Sequence, residues 1–256
     1  MVGDSVTPKL VPLHPTKHPM TAESREVQAI FERWTLYEKV IRLNYMRHQE
    51  MIRVIQQAVK QIDQPLRVLD LGCGDGWMAS QGLREGSVES YLGIDLSDSA
   101  LREAEQNLRP LGDTAELRQG NFHEVMETHP GITPNLILSS YSLHHFSGSD
   151  LRWLIRRIGE TLETDQGVFL WIDLKCEAEE TRDEYMSRFH DQFLPQWDAL
   201  SEEQRDEVID HMLQSDFPLT LREQHAVASE AGLHEPSCLY QDDYYAAHAY
   251  RRVIAS

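Results

Sequence analysis

Between residues 36 and 60 the apolar positions recur at helical spacing. Tyr37, Ile41, Tyr45, His48, Ile52, Ile55 and Val59 follow at steps of four, four, three, four, three and four, which keeps them on one helical face. The spacing predicts a single helix. Its aliphatic part suits a core, whereas Tyr37, Tyr45 and His48 add polar tips to the same stripe. Ahead of it, Thr21 is placed to cap a helix reaching about Trp34. Residues 1–20 carry Pro8, Pro12, Pro15 and Pro19 and no apolar run of a secretory signal, so an irregular leader is expected there.

From Arg67 the period changes. Short apolar runs at 67–71, 90–95, 115–120, 135–139 and 167–173 read as strands. Between them, 77–84, 97–108 and 149–162 read as helices, the last with Leu151, Leu154, Ile155, Ile158 and Leu162 on one side. Continuous apolar strands alternating with helices make βαβ units and a parallel sheet covered on both faces. Beyond Asp173 the alternation stops, and about 175–218 is charged and helical. Thr220-Leu-Arg-Glu223 is a capping box opening a helix that stops at Gly232. Strands at 236–240 and 244–254 are joined by a turn short enough to make them antiparallel. The expected fold is a doubly wound, mostly parallel α/β sheet of seven strands with an antiparallel C-terminal strand. Residues 1–20 form its leader, 21–62 a helical cap or lid, and 63–256 the α/β domain. A helical insertion at about 175–218 follows the fifth strand.

Composition narrows the function. The 256 residues are 41% hydrophobic and 26% charged, the mixture of a globular chain with a sizeable core. No run approaches the roughly 20 apolar residues that span a bilayer, so no membrane partner is expected. With 42 acidic and 24 basic residues the formal charge is −18, a field that repels phosphate backbones and disfavours nucleic acid. Cys73, Cys176 and Cys238 are odd in number and widely spaced. That usage fits a reducing, cytoplasmic setting. Scattered His and Asp show no metal-ligand spacing, so no metal is expected. Nothing in the sequence reports an oligomeric state.

The segment with most chemistry is Val68-Leu-Asp70-Leu-Gly72-Cys73-Gly74-Asp-Gly76, a strand running into a glycine-rich turn that opens a helix. Glycines let backbone bend tightly and let a ligand come close. Asp95 ends the next strand, 19 residues past Gly76, where a carboxylate can accept both hydroxyls of a ribose. A dinucleotide fingerprint would need a third glycine at position 77, which is Trp77. An acid at Asp70 also suits a cationic ligand better than a pyrophosphate.

Together these residues resemble the class I S-adenosylmethionine-dependent methyltransferases of the small-molecule type, over about 67–173 and more loosely over the last two strands. Val68–Gly76 resembles the family's glycine-rich motif, and Gly93-Ile-Asp95-Leu96-Ser97 its ribose-binding strand end. Gly120-Asn121-Phe122 resembles the segment beside the adenine, with Asn121 where an Asp is common. Ile137-Leu-Ser139-Ser140-Tyr141-Ser-Leu-His144-His145-Phe146 resembles the fourth strand and the loop facing cofactor and acceptor. The resemblance implies S-adenosylmethionine as cofactor, held by Asp70, Gly72, Cys73, Gly74, Gly76, Asp95, Leu96, Asn121, Phe122, Ser139 and Ser140.

The acceptor would lie against the 140–146 loop, at the C-terminal strand ends. His145 is the preferred general base, with His144 and Tyr141 as the other catalytic candidates. Alignment alone can also drive transfer from an activated methyl. Tyr37, Tyr45, His48, Arg182 and His211 are candidates for the acceptor pocket, Arg182 as a partner for a carboxylate. A small-molecule acceptor for O-, N- or C-methylation is the expected partner. Methylation of protein or RNA, and a non-catalytic module binding S-adenosylmethionine, remain the alternatives.

Overall fold

The computed structural model describes residues 9–12, 34–163 and 167–252. A strand, β1 (Lys9–Pro12), falls inside the segment expected to be an irregular leader. It pairs in parallel with β4 (Ala115–Gln119) and extends the sheet by backbone hydrogen bonding. The helix expected over 21–34 lies outside the described residues, apart from Trp34.

The single helix expected over 36–60 is two helices, α1 (Trp34–Arg42) and α2 (His48–Val59). Asn44 and Arg47 between them adopt left-handed backbone, with φ of 56° and 61°, a conformation Asn tolerates better than most residues. The Asn44 side chain then rewards the break. Its Oδ1 accepts from the Gln49 amide at 2.9 Å and its Nδ2 donates to Glu50 at 2.8 Å, securing the first turn of α2. The break resets the helical phase, so Tyr37 and His48 turn inward while Tyr45 points elsewhere.

The sheet continues with β2 (Leu66–Leu71), β3 (Val88–Asp95), β5 (Leu136–Ser140) and β6 (Val168–Cys176). After these come β7 (Leu219–Thr220), β8 (Leu233–Gln241) and β9 (Tyr245–Arg252). Their order is β1-β4-β3-β2-β5-β6-β9-β8, with β7 beside β6. Only β9 runs against its neighbours. The seven strands expected are thus present, supplemented by β1 and β7. Helices α3 (Trp77–Gly82), α4 (Asp98–Asn107), α5 (Phe122–Thr128), α6 (Gly148–Thr161) and α9 (Leu221–Glu230) complete the layers. The predicted capping box at Thr220 and Glu223 is formed.

Alternation along β2 shows how the two faces are filled. Val68 joins the core beneath α2, and Leu69 and Leu71 join the opposite core with Ile155 and Phe169. Asp70 shares the face of Val68, which puts a carboxyl among apolar side chains. The insertion after β6 contains α7 (Arg182–Arg188), a π-helical turn at Phe189–Phe193 and α8 (Glu202–Ser215). Its aromatic side chains Tyr185, Phe189, Phe193 and Trp197 are buried, so this charged-looking segment has its own apolar face. Among the described residues no helix is long and apolar enough to cross a membrane.

Candidate active site

The chain order reverses between β2 and β5, and a crevice forms beyond the carboxyl ends of those strands. Asp70, Gly72, Cys73, Gly74 and Asp75 line it from one side, and Ser140 and Tyr141 from the other. Gly74 has φ of 53°, and a Cβ there would meet nothing within 4 Å. Gly72 has the opposite problem, since its Cβ would come within 2.6 Å of the Ser142 Cβ. One glycine thus leaves room for a ligand, and the other lets two loops touch.

Three carboxylates surround this turn. Asp70 accepts from the Tyr91 hydroxyl at 2.7 Å, and burial raises its pKa to about 7. Burial likewise raises Asp75 to about 6. Asp95 is raised as well, by burial first, although its oxygens accept from the Gly74 amide at 2.8 Å and the Ser97 amide at 2.9 Å. Carboxylates that burial makes reluctant to ionise gain most from a cation beside them. His48 lies in the same crevice, 2% exposed, with no hydrogen-bond partner for either ring nitrogen among the described residues. Burial lowers its pKa to about 3, so the ring is neutral.

A second, more apolar cavity adjoins the first. Leu36, Val40, Leu174, Phe189, Trp197 and Met212 are among its walls. Tyr37 and Tyr141 line both cavities and stand at their junction. Tyr141 has φ of 54°, and its hydroxyl donates to the Met46 carbonyl, which ties the β5 loop to the turn between α1 and α2.

The polar end of this cavity is built from residues distant in sequence. His144, on the turn after β5, bonds through Nδ1 to Asp173 on β6. Asp173 also accepts from the Trp171 indole and the His144 amide, each at 3.1 Å, and from the Leu174 amide at 2.9 Å. The other nitrogen of His144, Nε2, lies 3.6 Å from Asp216 Oδ1. His145 Nδ1 approaches the same oxygen at 3.3 Å and His211 Nε2 at 3.6 Å. Asp216 is fixed where α8 ends, because the Phe217 amide donates to the His144 carbonyl at 2.6 Å. Burial works to lower the pKa of His144, but Asp173 and Asp216 outweigh it and push it up to about 9. Burial brings His211 down to about 4 despite Asp216. Asp216 is held below the usual carboxylate range, since the three imidazoles overcome its burial.

A sequence model of the methyltransferase domain matches residues 43–217, more than half of the chain. The chain belongs to the methyltransferase family. The matched residues include the glycine turn, Asp95 and the β5 loop. A protein-lysine N-methyltransferase of Saccharolobus islandicus is 34% identical over 90 residues, 34% of this chain and 48% of that protein. The match therefore spans about half the length of that relative. An O-methyltransferase family protein from Burkholderia thailandensis superposes with a TM-score of 0.66 at 16% identity, over 94% of this chain and 66% of that one. The magnesium protoporphyrin IX methyltransferase of Synechocystis, solved with S-adenosylmethionine bound, gives 0.59 at 14% identity, over 92% of this chain and all of that one (100%). At such identities the likeness establishes the fold.

Within this methyltransferase domain, the residues that the motifs singled out fall in different places. Asp70, Gly72, Cys73, Gly74 and Ser140 line the crevice, and Gly76, with φ of 65°, ends the turn against Leu108. Other expectations need correction. Ser139 is fully buried and bonds Ser142 at 2.8 Å, so it braces the loop and does not face the crevice. The Asn121 Oδ1 expected to face adenine accepts from the His123 amide at 2.8 Å and caps α5. Phe122 beside it packs on Phe146, with ring centres 5.1 Å apart, and Leu96 receives Gln119 on its carbonyl at 3.2 Å.

On the acceptor side, Tyr37 and His211 line the apolar cavity, whereas His48 faces the crevice instead. Tyr45 is outside both cavities. Its ring stacks on Trp197 at 5.0 Å, and its hydroxyl donates to Asp198 at 3.0 Å and accepts from the Ala199 amide at 2.9 Å. Arg182 does not await a carboxylate. It donates to the carbonyls of Met212, Leu213 and Asp216 at the end of α8, where a helix leaves unpaired acceptors. Tyr141 lines the site but spends its hydroxyl on Met46. Asp75, Asp173 and Asp216 were not predicted as site residues. Asp173, an acid closing an apolar strand, and Asp216, leading an Asp-Phe-Pro step after the insertion, were the available signals.

Proposed function

We propose that the protein methylates a small, largely apolar acceptor, drawing the methyl from S-adenosylmethionine. The observation carrying this reading is the junction of the two cavities at Tyr37 and Tyr141. One cavity has the glycine turn and carboxylates that fit a cationic nucleoside. The other is recessed, apolar along its walls, and polar at one end. When bound, S-adenosylmethionine supplies a methyl already activated on a sulfonium. Asp70 and Asp75 favour the positive methionine part, Gly74 leaves it room, and the free lone pairs of Asp95 take the ribose hydroxyls. Ser140 completes that side.

Across the junction, the walls strip water from the acceptor and aim it. Its ionisable atom sits against His145, His211 and Asp216, and that group takes the proton. His144, kept charged by two carboxylates below about pH 9, favours an anionic acceptor and does not serve as the proton acceptor near neutrality. Residues of α1 and of the insertion at 175–218 roof the cavity. Lys39 of α1 meets the insertion at the Ala199 carbonyl and at Gln204. The unpaired cysteines Cys73, Cys176 and Cys238 suit a cytoplasmic setting.

Protein methylation is the second reading, favoured by the lysine-methylating relative and by the charge of −18, which attracts basic peptides. Calorimetry with S-adenosylhomocysteine, followed by transfer of labelled methyl to small phenols, lysine-rich peptides and RNA, tests both. Stoichiometric binding and labelling of small phenols are expected. Absence of binding would overturn the proposal, and label confined to peptides would establish the second reading.

A further inference from the structure

We infer that His144, His145, His211 and Asp216 form a binding site for a first-row divalent cation at the acceptor end of the cavity. Possible ligand atoms of His144, His145 and Asp216 lie within 4.8 Å of one another, and His211 Nε2 adds a further nitrogen 3.6 Å from Asp216 Oδ1. An ion held tetrahedrally at 2.0–2.1 Å separates its donors by about 3.3 Å. The three imidazole nitrogens stand 3.3–3.6 Å from Asp216 Oδ1, close to that separation. Yet Oδ1 accepts no hydrogen bond of good geometry among the described residues, on a side chain only 4% exposed. His145 Nδ1 also stands 3.1 Å from the Ser215 carbonyl, a hydrogen bond it would give up to a cation, and imidazole nitrogens gathered around one carboxylate oxygen are a donor set such an ion takes.

The surroundings of His144 point the same way. A ligating imidazole characteristically gives its other nitrogen to a carboxylate, which fixes the tautomer and aims the ring. Asp173 does this for His144, whose Nε2 proton the cation would displace. Asp173 is itself anchored by the Trp171 indole and by the Leu174 and His144 amides, leaving Nε2 directed at Asp216. Nitrogen and oxygen donors in this mixture suit zinc, cobalt or nickel better than magnesium or calcium. The sequence could not show the site, because Asp216 is 71 residues beyond His145 and the usual short ligand spacing is missing. An ion held by these four groups would take the acceptor's oxygen or nitrogen as a fifth ligand and ease its deprotonation in place of a free imidazole, so the inference rests on assigning this cavity to the acceptor.

Protein dialysed against a chelator and titrated with cobalt(II) alone reads the site directly, through the intense visible absorption of low-symmetry cobalt. We expect one equivalent to bind, zinc to displace it, and Asp216→Asn to weaken it at least tenfold with S-adenosylhomocysteine affinity unchanged. Asp173→Asn, a positioning change, should weaken it by about 10–100-fold. Failure of cobalt to bind to protein that does bind S-adenosylhomocysteine would overturn the metal site alone. Cobalt binding that ignores Asp216→Asn would overturn it too, by locating the ion elsewhere. Cobalt binding without S-adenosylhomocysteine binding would support the metal site and refute the functional reading.

Discussion

The two cavities meet at a pair of tyrosines but are built in different ways. The crevice takes most of its character from one strand–turn–helix segment, in which Asp70, Gly72, Gly74 and Asp75 lie within six consecutive residues. Much of its surface is backbone, and the chain there must take positive φ whatever lies opposite. The acceptor cavity draws instead on α1, the β5 loop, β6, the insertion and β9, and its polar end closes only when Asp216 reaches His144 and His145. A site built locally tolerates change in its surroundings and little change in its own residues. A site assembled from distant elements has the converse weakness, since any strut that shifts α8 or the β5 loop shifts its chemistry.

Substitutions should therefore separate the halves. The largest effect is expected from His145→Asn, which removes an imidazole at the polar end. Turnover should fall by about 10²–10⁴ with S-adenosylhomocysteine affinity unchanged in calorimetry. A loss below tenfold would show that His145 only shapes the cavity. Next comes Gly74→Val, the reverse dissection. It forces a β-branched residue into left-handed backbone, itself costing about 1–2 kcal/mol, and fills the open space over Gly74. Cofactor affinity should drop by about 100-fold in a protein of near-normal circular dichroism. Asp95→Ala should cost about 1–3 kcal/mol of cofactor binding, and an unchanged dissociation constant would refute its ribose role.

Stability offers a subtler separation. Folding raises His144 from 6.5 to about 9, so its contribution is fully present below pH 6.5 and disappears as pH rises through about 9. Wild type should lose several degrees of Tm across that interval, and His144→Asn should show a flatter profile in thermal scans. Tyr45→Phe is the mildest test. It deletes two hydrogen bonds between the cap and the insertion, worth about 1 kcal/mol each. Because Tyr45 lines neither cavity, acceptor KM should move at most a few-fold. A large KM change would restore it to the pocket.

The limits of the sequence are clearest in the helix expected over 36–60. Its apolar steps are regular, and nothing in a pattern of spacing penalises Asn44 or Arg47. The break comes from left-handed backbone at both, stabilised by an Asn44 side chain that caps the following helix. That one event turned Tyr45 toward Asp198 and left His48 facing the crevice. Arg182 likewise looked like an anion binder until α8 ended beside it with unpaired carbonyls.

What the sequence alone determined was the doubly wound sheet, the helix capped at Thr220 and the glycine turn with its flanking acids. Each is settled by interactions within a few residues, namely side-chain period, capping and the φ values open only to glycine. The meeting of Asp173, His144, His145, His211 and Asp216 was decided by tertiary structure. Those side chains are brought together by strand order, by the packing of an inserted helix and by the Phe217 amide bonded to the His144 carbonyl. Contacts between such distant residues depend on how helices and strands pack in space, and local spacing along the chain does not encode that.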